Sequence, residues 1–259
     1  MSDWESYLKN NSEKFVSELI EFVNIPSVSA DLSYKEDVRK AGMWVANRLK
    51  TAGAENVKVM ETGGHPVVYG DWLHAGPEKP TIMIYGHFDV QPADPFELWD
   101  NDPFDAKIKD DIIYGRGASD DKGGMLIPIL SFEALLTSNG SLPVNVKFFF
   151  EGQEEILSPQ LPEFVAKHKS LLTCDMLFSA DGLQWAADEA MMVMGLKGLV
   201  GIEIELKGPK GDQHSGLHGG AIQNPIMALS HLIASMKNTE GKITVDGFYD
   251  DVLELLDDE

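Results

Sequence analysis

Three short apolar runs, residues 81–85, 146–150 and 176–178, each lead directly into side chains able to ligate a cation. Gly86-His87-Phe88-Asp89 follows the first, Glu151-Gly152-Gln153-Glu154-Glu155 the second and Asp181 the third. Runs this short and this nearly continuously apolar read as strands buried on both faces. Helix-like segments at 125–136, ending near Gly140, and around 161–166 separate them. That alternation predicts an α/β fold with a mixed, largely parallel sheet flanked by helices. In open sheets of this kind ligands gather at the carboxyl ends of the strands, where these residues stand.

Apolar residues recur at helical spacing from Phe15 to Val23, before Pro26, and again from Val38 to Leu49, before Gly53. Two amphipathic helices therefore open the chain. Residues 57–60 and 67–69 are β-prone, are separated by Gly63-Gly64, and read as edge strands. Met191, Met192 and Met194 read as packing in the sheet, and Cys174 as a small core hydrophobe. The texture changes after Gly195: 199–206 alternates like a half-exposed strand, 208–220 is a Gly- and His-rich loop, and 226–236 is a helix. A boundary near Gly198 divides a first domain, 1–197, from an incomplete α+β domain, 198–259, whose acidic end, 250–259, reads as a helix cut off mid-course.

A chain of 259 residues with 43% hydrophobic content can bury a sizeable core. Its 42 acidic against 21 basic residues give a net charge of −21, which repels nucleic-acid phosphates and anionic lipid headgroups, so neither is expected as a partner. No stretch reaches the roughly 20 apolar residues of a membrane span. One cysteine cannot form an internal disulfide, and the acidic start Met-Ser-Asp-Trp-Glu is unlike a secretory signal; the expected compartment is the cytoplasm.

A catalytic zinc takes about four ligands from His, Asp, Glu, Cys and water, and keeps one position open. His87 and Asp89 are two apart after a strand, so in extended backbone both point to one side: one can bind metal while the other holds the imidazole's second nitrogen. Asp120 and Asp121 stand at the mouth of a helix, where negative charge is favoured. Of the adjacent Glu154 and Glu155, one could bind a cation while the other takes a proton from water. Each pattern alone also fits something plainer: a surface turn, a helix cap, a solvated acidic pair.

Five blocks in order resolve this. Gly86-His87-Phe88-Asp89-Val90-Gln91-Pro92, the segment 114–124 (Tyr-Gly-Arg-Gly-Ala-Ser-Asp-Asp-Lys-Gly-Gly), Glu151-Gly-Gln-Glu154-Glu155, Ser179-Ala-Asp181 and His214-Ser-Gly-Leu-His-Gly-Gly220 resemble the di-zinc metallopeptidases of family M20/M25/M40. That family includes carnosinase, carboxypeptidase G, PepV-type dipeptidases and the ArgE/DapE deacylases. The resemblance implies a zinc-exopeptidase-like catalytic domain and a lid domain used for homodimerisation. It implies two Zn2+ ions, replaceable by Mn2+ or Co2+, one held by His87, Asp120 and Asp181 and the other by Asp120, as bridge, and Glu155. Glu154 is then the general base for the water between the ions, Asp89 orients His87, and His214 reaches the partner subunit's active site to stabilise the oxyanion. A cis peptide between Asp120 and Asp121 is also implied. Gln91-Pro92 and the insertion 94–104 with Trp99 are more similar to the dipeptidase branch, so dipeptides or small amides are the expected substrates.

The family's return to the catalytic domain after the lid, with a final histidine ligand, has no counterpart here. Two carboxylates alone hold zinc weakly, so this chain by itself is expected to have little activity. The competing readings are an N-acyl-amino-acid deacylase and a non-catalytic fragment or assembly module.

Overall fold

The structure is a computed structural model that describes residues 3–182, 184–186, 188–189, 191, 193 and 198–253. Contacts divide the chain into two compact units, Met1–Met194 and Gly195–Glu259.

The first unit begins with three helices, α1 (Asp3–Asn10), α2 (Ser12–Val23) and α3 (Lys35–Ala52), the last ending at Gly53 with φ 98°, the left-handed cap that only glycine adopts without strain. Strands β1 (Glu55–Met60), β2 (Val67–Trp72) and β3 (Thr81–His87) follow. A small hairpin, β4 (Lys107–Lys109) and β5 (Ile112–Tyr114), precedes α4 (Lys122–Asn139). Then come β6 (Asn145–Glu151), α5 (Leu161–Lys167), α6 (Lys169–Leu172) and β7 (Met176–Ser179).

The main sheet runs β1-β2-β6-β3-β7. β3 lies parallel to both β6 and β7, while β2 is antiparallel to β1 and β6, so a parallel half carries an antiparallel flank. All seven residues of β6 are buried. Val146, Phe148 and Phe150 point into a core shared with Phe22, Val45, Leu49, Met125 and Ile129 of the helices, and Phe149 points into a second cluster with Val67, Met83 and Phe164. Helices on both faces are why that run is apolar but for Lys147, whose Nζ donates to the Leu171 and Thr173 carbonyls. Cys174 is half-buried against the second cluster.

Five expectations need correction. β2 is an interior strand with all six residues buried, because β6 pairs on its far side; Asp71 is accommodated by the Tyr69 hydroxyl at 2.8 Å and the Asn56 amide at 2.9 Å. β7 is not buried: among the described residues it pairs only with β3, and Met176, Leu177 and Phe178 are each more than half exposed. Met191 lies in no strand and is 39% exposed, while Met192 and Met194 lie outside the described residues.

The fourth correction falls in the second unit, where 199–206 forms no strand. Leu199, Val200 and Ile202 are largely exposed and have no ladder partner among the described residues, so alternation alone does not hold the segment extended. This unit contains a single helical turn, α7 (Ser215–His218), within the Gly- and His-rich loop, and α8 (Pro225–Ser235), capped by Asn224 through the Ile226 and Met227 amides. Of the expected terminal helix, residues 250–253 are not helical and 254–259 lie outside the described residues.

Candidate metal centre

Strand register builds the site. His87 is opposite Glu151 in the parallel β3–β6 ladder, and Tyr85 is opposite Ser179 in the β3–β7 ladder. The chain therefore leaves three adjacent strands at one edge, and the Ala180 amide bonds the Tyr85 carbonyl at 2.8 Å just before Asp181. Asp120 arrives from the other direction, on the turn preceding α4. Its peptide bond to Asp121 is cis, as the resemblance implied.

His87 is fully buried. Its Nδ1 faces the Asp89 backbone carbonyl at 3.0 Å, with the Asp89 carboxylate at 3.5 Å. Its Nε2 faces outward to Asp120 Oδ1 at 3.0 Å, Asp181 Oδ2 at 3.8 Å and Glu154 Oε2 at 4.0 Å. One ligand atom from each of His87, Asp120 and Asp181 lies within 4.8 Å of the other two. Burial pulls the imidazole down, but Asp89, Asp121 and Asp181 outweigh it and push it up to about 10. Carboxylates that favour a positive charge here so strongly would equally favour a cation, and one nitrogen with two oxygens is a donor set that zinc, manganese or cobalt accepts. These residues fit a divalent metal.

The Glu154-Glu155 turn is held from behind, since Asp89 Oδ1 accepts from the Glu154 amide and Oδ2 from the Glu155 amide, each at 3.1 Å. Burial raises the Glu154 carboxyl; His87 opposes this, and the neighbouring Asp181, Glu155 and Asp89 reinforce it. Glu155 stands outside the three-residue cluster, its carboxylate accepting from the Gln91 amide at 2.8 Å. His214 belongs to the second unit, where its Nδ1 accepts from the Gly216 amide at 3.1 Å and caps α7. Among the other histidines, His65 meets the Ser29 carbonyl and His74 meets Glu55.

Sequence reasoning missed a hydrogen-bonded pair beside the site. The Tyr85 hydroxyl donates to Glu151 Oε1 at 2.7 Å, and Glu151 is wholly buried. Tyr85 precedes His87 by two residues and shares its side of β3, so strand periodicity could have signalled it.

Comparison with known proteins fits this geometry. Residues 83–193 match Peptidase family M20/M25/M40. The chain is 33% identical to the Cys-Gly metallodipeptidase DUG1 of Candida albicans, over 95% of this chain and 54% of that protein. It is 32% identical to the human Beta-Ala-His dipeptidase, over 98% of this chain and 52% of that protein. Among solved structures, the M20 family metallo-carboxypeptidase Sso-CP2 from Sulfolobus solfataricus superposes with a TM-score of 0.80 at 34% identity, over 95% of this chain and 55% of that one. The chain thus spans about half the length of the relatives it matches, and its residues 83–193 carry the match to peptidase family M20/M25/M40.

Proposed function

We propose that this chain carries the metal-binding and proton-transfer groups of a hydrolase that cleaves the amide bond of dipeptides or similar small substrates. The observation that supports it is the convergence of His87, Asp120 and Asp181, with Glu154 Oε2 4.0 Å from the imidazole. The two dipeptidase relatives point to the substrate class.

His87, Asp120 and Asp181 would hold one divalent ion, zinc in the first instance, and Asp120 with Glu155 a second. Such ions, when bound, polarise a carbonyl oxygen and make water a stronger acid at neutral pH. Glu154 takes the proton from the attacking water on its carboxylate and returns it to the departing amine. A carboxyl raised by burial and by neighbouring acids is a better base than a free glutamate, and its backbone is fixed by Asp89. For Glu155 to ligate, its carboxylate must exchange the Gln91 amide for the cation.

His214 and the second unit complete the proposal: the unit serves in homodimerisation, for which α8 offers exposed Ile226, Met227 and Ile233, and His214 stabilises the oxyanion in the assembled enzyme. With only Asp120 and Glu155 for its second ion, this chain by itself is proposed to turn over little. No helix among the described residues is long and apolar enough to cross a membrane, and the lone cysteine accords with our proposal of a cytoplasmic location.

The test is a substrate panel of dipeptides and N-acetylated amino acids with Zn2+, Mn2+ or Co2+, alongside direct measurement of bound metal. Dipeptide cleavage supports the reading; preference for acetylated amino acids would move it to a deacylase, and failure to bind metal would remove it. Turnover by this chain matching that of a full-length relative would refute the proposed need for further ligands.

A further inference from the structure

We infer that Asp121 is a positioning residue for the metal centre: its buried carboxylate, seated between Gly86 and Gly124, fixes the backbone of His87 relative to Asp120. The inference rests on the reading of His87, Asp120 and Asp181 as metal ligands.

Asp121 occupies the N-cap position of α4 yet makes no side-chain cap hydrogen bond. Its carboxylate turns to β3 instead, where Oδ2 accepts from the His87 amide at 3.1 Å. The residue is 1% exposed, and Oδ1 has no hydrogen-bond partner among the described residues.

Two glycines leave room for it. A Cβ at Gly86 would stand 2.6 Å from Asp121 Oδ2 and 2.9 Å from the Met125 Cβ. A Cβ at Gly124 would collide with Asp121 Oδ1 and stand 2.7 Å from the Ala180 carbonyl oxygen. Any side chain at these positions would therefore expel the carboxylate or push α4 away from the end of β7. The same contacts bring all three ligands together: His87 through its amide, Asp120 through the peptide bond to Asp121, and Asp181 through the close approach of Ala180 to Gly124.

Packing alone does not ask for a carboxylate here. A buried carboxylate with one hydrogen bond, near the like charges of Asp120 and Asp181, opposes folding. An apolar or amide side chain of similar volume would fill the space at less cost. What a smaller apolar side chain could not supply is the acceptor for the His87 amide, which sets the height of the imidazole against Asp120.

Zn2+ affinity, measured by chelator competition on wild type, Asp121→Ala, Asp121→Asn and Gly124→Ala, tests this, with the melting temperature of each metal-free protein and the visible spectrum of each Co2+-loaded protein. Loss of an outer partner of a metal ligand weakens metal binding by about 10- to 100-fold. That loss is expected for Asp121→Ala and Gly124→Ala, with an altered Co2+ spectrum. Asp121→Asn, which keeps an oxygen acceptor for the His87 amide, is expected to stay close to wild type, and metal-free Asp121→Ala to melt no lower than wild type.

Equal affinity in wild type and Asp121→Ala overturns the inference. So does equal loss in the Ala and Asn variants, which would assign Asp121's effect to charge. A fall in melting temperature that accounts for the whole loss also overturns it. Should Asp121→Ala fail to fold, the Asn and Gly124→Ala pair still decides. A wild-type chain that binds no Zn2+ would instead sink the metal-site reading itself.

Discussion

The carboxylate of Asp89 bridges the backbone amides of Glu154 and Glu155, one oxygen to each at 3.1 Å, while its own backbone carbonyl faces His87 Nδ1 at 3.0 Å. One residue after β3 thus fixes both the imidazole and the turn that presents the two glutamates. Asp89→Ala removes both acceptors for these amides, and Zn2+ affinity measured by chelator competition is expected to fall by about 10- to 100-fold. Asp89→Asn keeps one acceptor and should fall between that variant and wild type.

Glu154 is assigned to proton transfer and not to ligation, and the two roles separate experimentally. Glu154→Gln is expected to leave metal stoichiometry unchanged and to lower kcat of the assembled enzyme by about 100- to 10,000-fold. Bound metal and turnover measured on one preparation check this; a parallel loss of metal would reassign Glu154 as a ligand.

Gly152 sits where β6 turns toward that pair, and a Cβ there would stand 2.5 Å from Cε2 and 2.9 Å from Cζ of the fully buried Phe88. Both neighbours belong to segments that carry site residues, so relief must come through backbone shifts. Gly152→Ala should cost about 1–3 kcal/mol of stability, as overpacking does. Denaturant unfolding measures it, with a drop in metal affinity expected alongside.

A buried ionic group ties the helices together away from the site. Glu133 on α4 is bonded by Arg48 of α3, receives the Tyr7 hydroxyl at 2.7 Å, and has Lys14 at 3.6 Å; Arg48 also reaches Glu18 at 3.0 Å. Burial works to raise the Glu133 carboxyl, but Tyr7, Arg48 and Lys14 overcome it and hold it below its ordinary value near 4.5. A carboxyl depressed by folding contributes stability that is complete above its unfolded pKa and is lost as pH falls through the folded value. Wild type should therefore lose stability below about pH 4.5 more steeply than Glu133→Gln, as thermal melts across pH would show. Arg48→Met, which strands a buried carboxylate, should cost about 3–5 kcal/mol at neutral pH.

The helical and strand segments of the first unit were legible because burial imposes a period. Phe15 to Val23 and Val38 to Leu49 repeat at helical spacing since each helix buries one face, α3 against β1 and β2 and α2 against α4, and residues 146–150 are apolar at every position but Lys147 since both faces of β6 are covered. Local turn chemistry likewise placed the ends of α3 and α4 at Gly53 and Gly140. Neighbours in the sheet were not legible. β2 and β7 carry similar short apolar runs, yet β2 is enclosed by two strands and β7 is exposed, a difference set by pairings with partners far along the chain.

At the site, the amino-acid order alone named the chemical groups: a histidine, two aspartates and a pair of glutamates placed after strand-like runs, and a pair of aspartates at the mouth of a helix. Folding decided which atoms face one another. The parallel register of His87 with Glu151 brings the strand ends side by side, and two glycines admit the Asp121 carboxylate that links β3 to α4. Gln91 engages Glu155, and Tyr85 engages Glu151. Residue type fixes what a side chain can donate, accept or ligate, whereas the distance over which it does so depends on segments tens of residues apart closing on each other. Only the packed chain sets that distance.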